Sequence, residues 1–187
     1  GFICETAPDP GVPWDTDYRW EAPRALTPKQ YKPKFTEVVQ ICSVVEDLDK
    51  TVQIYEDVYG IGPWLYTGED DFRFYKGKTF VRGRQVDFEA RIACCYALNI
   101  SLEIIQPLDD KSHYAEFLRE DGQTMQHMMV KPTNNDQFGL MNFLRTRGNP
   151  PLFEGWVGSK PFTEQYWCNY TDARKDLGFI IELAHGP

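Results

Sequence analysis

Four residues have the types and the setting to do chemistry together: Gln40, Glu103, His127 and Glu182. Each lies in a short apolar run that reads as a strand: Val38-Val39-Gln40-Ile41-Cys42, Leu102-Glu103-Ile104-Ile105, Gln126-His127-Met128-Met129-Val130 and Phe179-Ile180-Ile181-Glu182-Leu183. A carboxylate inside an apolar strand is costly unless something pairs with it. Two carboxylates, an imidazole and an amide oxygen around one point would compensate one another by surrounding a divalent ion. Taken singly, each has a plainer reading. His127 would be a satisfied core histidine, Glu103 and Glu182 solvent-facing strand residues, and Gln40 unremarkable. Their recurrence at matching places in two halves of the chain favours the shared site.

Those halves follow from the hydrophobic pattern. Val38 to Val45 reads as a strand. Leu48, Val52, Tyr55 and Val58 recur at helical spacing, so an amphipathic helix is expected over 48–59. The acids of Glu46-Asp47-Leu48-Asp49 suit its first turn, and Gly60-Ile61-Gly62-Pro63 stops it. Strands are expected around 64–67, 72–76, 86–97 and 100–106. The order then repeats, with a strand over 125–131, a helix over 134–147, and strands near 152–157, 163–170 and 178–184. Each half carries one candidate ligand on its first strand and one on its last, and duplication of a single unit is the economical account. Between the halves, 108–121 reads as a linker with a short helix from Tyr114 to Arg119. Residues 1–35 differ from the rest: Pro8, Pro10, Pro13, Pro23, Pro28 and Pro33 exclude a long regular helix there. Trp14, Tyr18 and Trp20 suggest an arm packed over the body.

Composition removes several function classes. The formal charge of −8 and pI near 4.9 argue against a general nucleic-acid binder, which needs a basic face. No apolar run approaches the ~18 residues of a membrane span. The five cysteines are too scattered for a disulfide framework, and Cys94-Cys95 should point to opposite faces of a strand. They read as ordinary buried thiols, and the expected location is a reducing cytoplasm. His113 and His185 are expected at the surface, and the methionines 125, 128, 129 and 141 in core or pocket lining.

Several motifs resemble the vicinal oxygen chelate superfamily, the glyoxalase and methylmalonyl-CoA epimerase group. They are Val44-Val45-Glu46-Asp47-Leu48-Asp49-Lys50-Thr51-Val52 before Tyr55, Gly60-Ile61-Gly62-Pro63-Trp64, Leu102 to Pro107, Tyr114 to Leu118, Gln126-His127-Met128, and Asp176 to Leu183. The resemblance implies an α+β fold of two tandem βαβββ modules, about 36–107 and 122–187, forming a cupped mixed sheet. A proline-rich N-terminal extension over 1–35 would precede this 36–187 domain. It further implies that Gln40, Glu103, His127 and Glu182 hold one divalent ion, with zinc, manganese, cobalt, nickel and magnesium all admitted. Relatives often pair, so a homodimer is expected.

An ion with open positions polarises a carbonyl and acidifies the neighbouring C–H. The resemblance makes Glu182 both ligand and base, and places Asp87, or Glu89 on the same strand face, as second base. The expected function is therefore proton transfer at the carbon next to a carbonyl, of epimerase, racemase or isomerase type, on a small carbonyl or thioester substrate. The order Gln, Glu, His, Glu resembles a lactoylglutathione lyase, which is the alternative. A non-catalytic small-molecule binding protein is a further one. An iron oxygenase is disfavoured, because such sites use two His and one carboxylate. Lys131, Arg145, Arg147 and Lys160 are candidates for the phosphates of a CoA thioester, and Trp64, Phe72, Phe74, Trp156 and Trp167 for an aromatic pocket.

Overall fold

The computed structural model describes residues 35–67, 72–133, 136–159 and 165–185. Apart from Phe35, the N-terminal extension lies outside them. The elements are β1 (Phe35–Val44), α1 (Leu48–Tyr59), β2 (Leu65–Thr67), β3 (Phe72–Val81), β4 (Arg84–Gln85), β5 (Ala90–Ala97), β6 (Ile100–Pro107), α2 (His113–Asp121), β7 (Thr124–Pro132), α3 (Gln137–Thr146), β8 (Pro151–Ser159), β9 (Gln165–Asp172), α4 (Arg174–Leu177) and β10 (Ile180–His185). The strands form one open mixed sheet in the order β2-β5-β6-β1-β7-β10-β9-β8-β3-β4. This is the α+β architecture the motifs imply.

The two halves have the same internal order. Each first strand runs parallel to the last strand of its half, β1 with β6 and β7 with β10. The remaining strands add outward antiparallel, β5 then β2 in the first half, β9 then β8 in the second. β1 and β7 meet antiparallel at the centre, with Gln40 opposite Met129 and Cys42 opposite His127. Exchanging the halves about that seam carries Gln40 onto His127. It also carries Glu103, opposite Cys42, onto Glu182, opposite Met129. The duplication extends to irregularities: Val39 and Gln126, each just before its candidate ligand, are extra residues where the β1–β7 register shifts.

One element departs from the repeat. β3 pairs with β8, so a hairpin of the first half extends the edge of the second. The strand expected over 86–97 also starts later, at Ala90, which leaves 86–89 as a loop.

Both faces of the sheet are covered. Asp47 caps α1 by accepting from the Lys50 amide, and Gly60 ends it in the left-handed conformation, φ 66°. Leu48 and Val52 of α1 bury against Ala93, Cys95 and Ile104. Leu140, Met141 and Leu144 of α3 do the same against Val130, Ile181 and Leu183. Burying each such aliphatic side chain contributes about 1.5–3 kcal/mol. Strand alternation leaves Gln40, Cys42, Glu103, His127 and Glu182 on the other, concave face. There α2 lays Tyr114 and Phe117 against Cys42, Val44, Ile105 and Ile180. The two-residue turn Leu98-Asn99, both at positive φ, closes β5 on β6 and fixes the register that sets Glu103 opposite Cys94.

Candidate metal centre

The concave face carries two adjacent rows of side chains. One runs Ser101, Gln40, Met129, Glu182 across β6, β1, β7 and β10; the other runs Cys94, Glu103, Cys42, His127, Ile180 across β5, β6, β1, β7 and β10. Glu103 and His127 are two strands apart, and their longer side chains converge over the shorter Cys42. His127 Nε2 lies 3.4 Å from Glu103 Oε2 and 2.9 Å from Glu182 Oε2. The His127 side chain is 0% exposed, Glu182 7% and Glu103 11%, so the imidazole is fully enclosed and the two carboxylates nearly so.

The support behind His127 fixes its chemistry. Gln126 Oε1 lies 2.6 Å from Nδ1. A carbonyl oxygen only accepts, so Nδ1 carries a proton, and Nε2 is left facing the carboxylates as the atom that takes up either a second proton or a metal ion. Adjacent strand residues normally point to opposite faces. Gln126 reaches its neighbour's ring because it is the extra residue of the bulge. The edge of His127 also meets the Tyr170 ring, centroids 4.7 Å apart at 85°. Tyr170 is in turn held by the Tyr114 hydroxyl at 2.9 Å.

The donor set fits a cation. Despite their 2.9 Å separation, His127 Nε2 and Glu182 Oε2 lack hydrogen-bond geometry and neither has another partner. Gln40 Oε1 is likewise buried and unpartnered, while its Nε2 makes only a 3.5 Å contact to Ser101 Oγ. Orphaned buried acceptors facing one another are unfavourable unless a proton or a metal ion lies among them. Burial disfavours the charged imidazole, yet Glu182 and Glu103 outweigh it and bring the His127 pKa up to about 9. Burial pushes the Glu182 carboxyl upward against the pull of His127.

Glu103, His127 and Glu182 are thus brought together, and Gln40 shares their face in the adjoining row. Asp87 and Glu89 are not part of the cluster. Both are exposed on the 86–89 loop, where the Asp87 carboxylate accepts from the Gly77 amide at 2.7 Å and Gln85 Nε2 at 3.0 Å. The buried residue between them is Phe88, which packs with Phe74, Tyr114 and Phe153.

Other expectations change as well. His113 is buried rather than at the surface, because Ser112 caps α2 and turns its first residue inward. Its ring stacks on Phe153 at 4.8 Å and both nitrogens lack partners; burial lowers its pKa, so it is a neutral aromatic. The side chain of His185, at the end of β10, lies outside the described residues. Of the proposed pocket aromatics, Trp64 packs under α1 and Trp156 and Trp167 lie in the α3 core, while Phe74 joins the concave cluster. The Phe72 side chain and Lys160 are outside the described residues. Lys131 pairs with Glu37 and Arg147 with Asp176, both on the surface.

Three participants were not singled out as such from sequence: Cys42, Gln126 and Tyr170. Cys42 had a signal, since it follows Gln40 by two residues and so shares its face. Gln126 had none, because the bulge that turns it is invisible in the pattern. Cys42, Cys94, Cys95 and Cys168 are all free thiols.

Among known proteins, no family model and no curated protein matches this chain. Solved structures do. A Streptomyces coelicolor methylmalonyl-CoA epimerase in complex with 2-nitronate-propionyl-CoA superposes with a TM-score of 0.52 at 18% identity, covering 81% of this chain and 94% of that one. A hypothetical protein from Bacillus halodurans gives 0.52 at 13% identity, covering 82% and 94%. A methylmalonyl-CoA epimerase in complex with methylmalonyl-CoA and NH4+ gives 0.51 at 17%, covering 81% and 94%. The chain has the vicinal oxygen chelate fold.

Proposed function

We propose that this protein is a metal-dependent enzyme that moves a proton on the carbon beside a carbonyl, with Gln40, Glu103, His127 and Glu182 holding the ion. The observation carrying this reading is the buried meeting of His127 Nε2 and Glu182 Oε2, 2.9 Å apart and unpartnered. A bound divalent ion would polarise the substrate carbonyl and acidify the adjacent C–H. Gln126 keeps the His127 lone pair aimed inward. Glu182 takes the proton. Burial raises its proton affinity, and the neighbouring His127 pulls the other way. The packed aromatic floor of Tyr114, Tyr170 and Phe153 limits water beneath the site.

The fold likeness favours epimerisation of a CoA thioester, since structures of that fold are bound to methylmalonyl-CoA and 2-nitronate-propionyl-CoA. Epimerisation needs a second proton carrier on the opposite face of the carbon. Asp87, or Glu89 beside it, is the proposed residue for that role, acting from an exposed loop outside the cluster. The lactoylglutathione lyase reading needs one base only, and this exposure together with the ligand order favours it to that extent. Incubation in deuterated water separates the readings. Deuterium entering a 2-methyl-branched acyl thioester without net conversion supports the epimerase, with Asp87→Asn or Glu89→Gln lowering the rate. Turnover of a hemithioacetal, unchanged in both variants, supports the lyase. Tight binding of either compound with no exchange and no metal would leave a non-catalytic binding protein and end the enzyme proposal.

A further inference from the structure

Cys42 has no place in the ligand set that duplication provides, yet it sits in the middle of it. Its Sγ lies within 4.8 Å of donor atoms of both Glu103 and His127, at the register position between them. It is fully buried. His127 Nε2, the donor atom nearest to Glu182 Oε2 at 2.9 Å, is itself without a hydrogen-bond partner, and the His127 side chain is wholly buried. A second sulfur, Cys94 Sγ, lies 3.9 Å from Glu103 Oε1 on the far side of that carboxylate. Across the seam, the position equivalent to Cys42 is Met129, again a sulfur residue.

Thiolate ligands favour zinc, cobalt and cadmium, whereas magnesium and manganese prefer oxygen. We infer that Cys42 Sγ is a further ligand of the ion and makes the centre thiophilic. The inference rests on the proposal that Glu103, His127 and Glu182 hold an ion at all. As the sulfur–metal bond forms, the thiol S–H bond breaks and its proton leaves to solvent, with no change of oxidation state. Cys94 is the natural control, because Glu103 stands between it and His127 in the row.

The test uses the full chain, stripped of metal with a chelator and titrated with cobalt(II). The expected wild-type spectrum has a near-ultraviolet thiolate-to-cobalt charge-transfer band in addition to the visible ligand-field bands. Cys42→Ser should remove the former and keep the latter, while Cys94→Ser keeps both. Cadmium affinity should fall about tenfold or more in Cys42→Ser with magnesium affinity unchanged. Ligand-field bands without charge transfer in the wild type would overturn the inference and leave the ion site standing. So would a charge-transfer band that survives Cys42→Ser. No cobalt uptake by the folded wild type would remove both. If Cys42→Ser fails to fold by circular dichroism, Cys42→Ala replaces it.

Discussion

In the first half of the molecule, Gln40 and Glu103 stand on β1 and β6; in the second, His127 and Glu182 stand on the equivalent β7 and β10. The backbones are matched down to the bulge that precedes Gln40 and His127. The bulge residue itself differs. In the second half it is Gln126, which accepts from His127 Nδ1 at 2.6 Å. In the first it is Val39, which has no side-chain acceptor or donor to offer, and Gln40 Oε1 is left unpartnered. Duplicated topology therefore sets where a ligand stands, while the residue beside it decides how firmly it is held. In the proposed centre the second half would anchor the ion through a buried, oriented imidazole. The first offers a neutral amide with freedom to adjust.

The sharpest way to break this contrast is to remove ligands from each half in turn. His127→Ala and Glu182→Gln should each weaken ion binding by more than about 100-fold, beyond the loss that follows from disturbing a supporting residue. Gln40→Ala should cost less, about tenfold, because a neutral amide brings no charge and has little support behind it. Elemental analysis and competition titration against a chelator measure all three. Equal losses at Gln40 and His127 would show the halves to be energetically alike despite their different bulge residues. Unchanged metal content in both His127→Ala and Glu182→Gln would remove the site assignment itself.

A narrower test addresses the bulge. Gln126→Leu keeps the imidazole and removes only the acceptor at Nδ1, so His127 loses its fixed tautomer. The expected cost is about 10–100-fold in metal affinity, with the fold intact by circular dichroism. An unchanged affinity would mean that packing against Tyr170, rather than the hydrogen bond, orients the ring.

Much of this was legible in the sequence, and the parts that were not share a cause. Period-two and helical spacing located β1, α1, β6, β7 and β10 and the four residues placed on the concave face, because those signals are local. The α1 span, Leu48–Tyr59, coincides with the expected 48–59 because cap, apolar stripe and stop signal all agree. The bulge that turns Gln126 toward His127, the stacking of His113 on Phe153 and the pairing of β3 with β8 depend on contacts between distant segments. No local pattern records these. Asp87 and Glu89 fall in the same class: alternation would set them on one strand face, but the segment is a loop whose inward residue is Phe88.

The smallest effect expected separates two buried carboxylates of the second half. Glu182 lies on the concave face beside a histidine. Glu154 of β8 lies on the opposite face, opposite Asn169 in register and in the layer covered by α3, with Oε1 unpartnered. Burial raises the Glu154 pKa well above the ordinary 4.5, with Asn169 and Arg145 pulling the other way. The folded state thus favours its protonated form. Its stabilising contribution is complete below about pH 4.5 and is lost as pH rises through the elevated folded value. Glu154→Gln keeps the shape and removes the ionisation. The variant should match the wild type in urea denaturation at low pH and become the more stable of the two as pH rises, with metal binding untouched. Parallel pH profiles for the two proteins would show that Glu154 is ionised and compensated in the folded state. The two faces would then treat a buried acid alike.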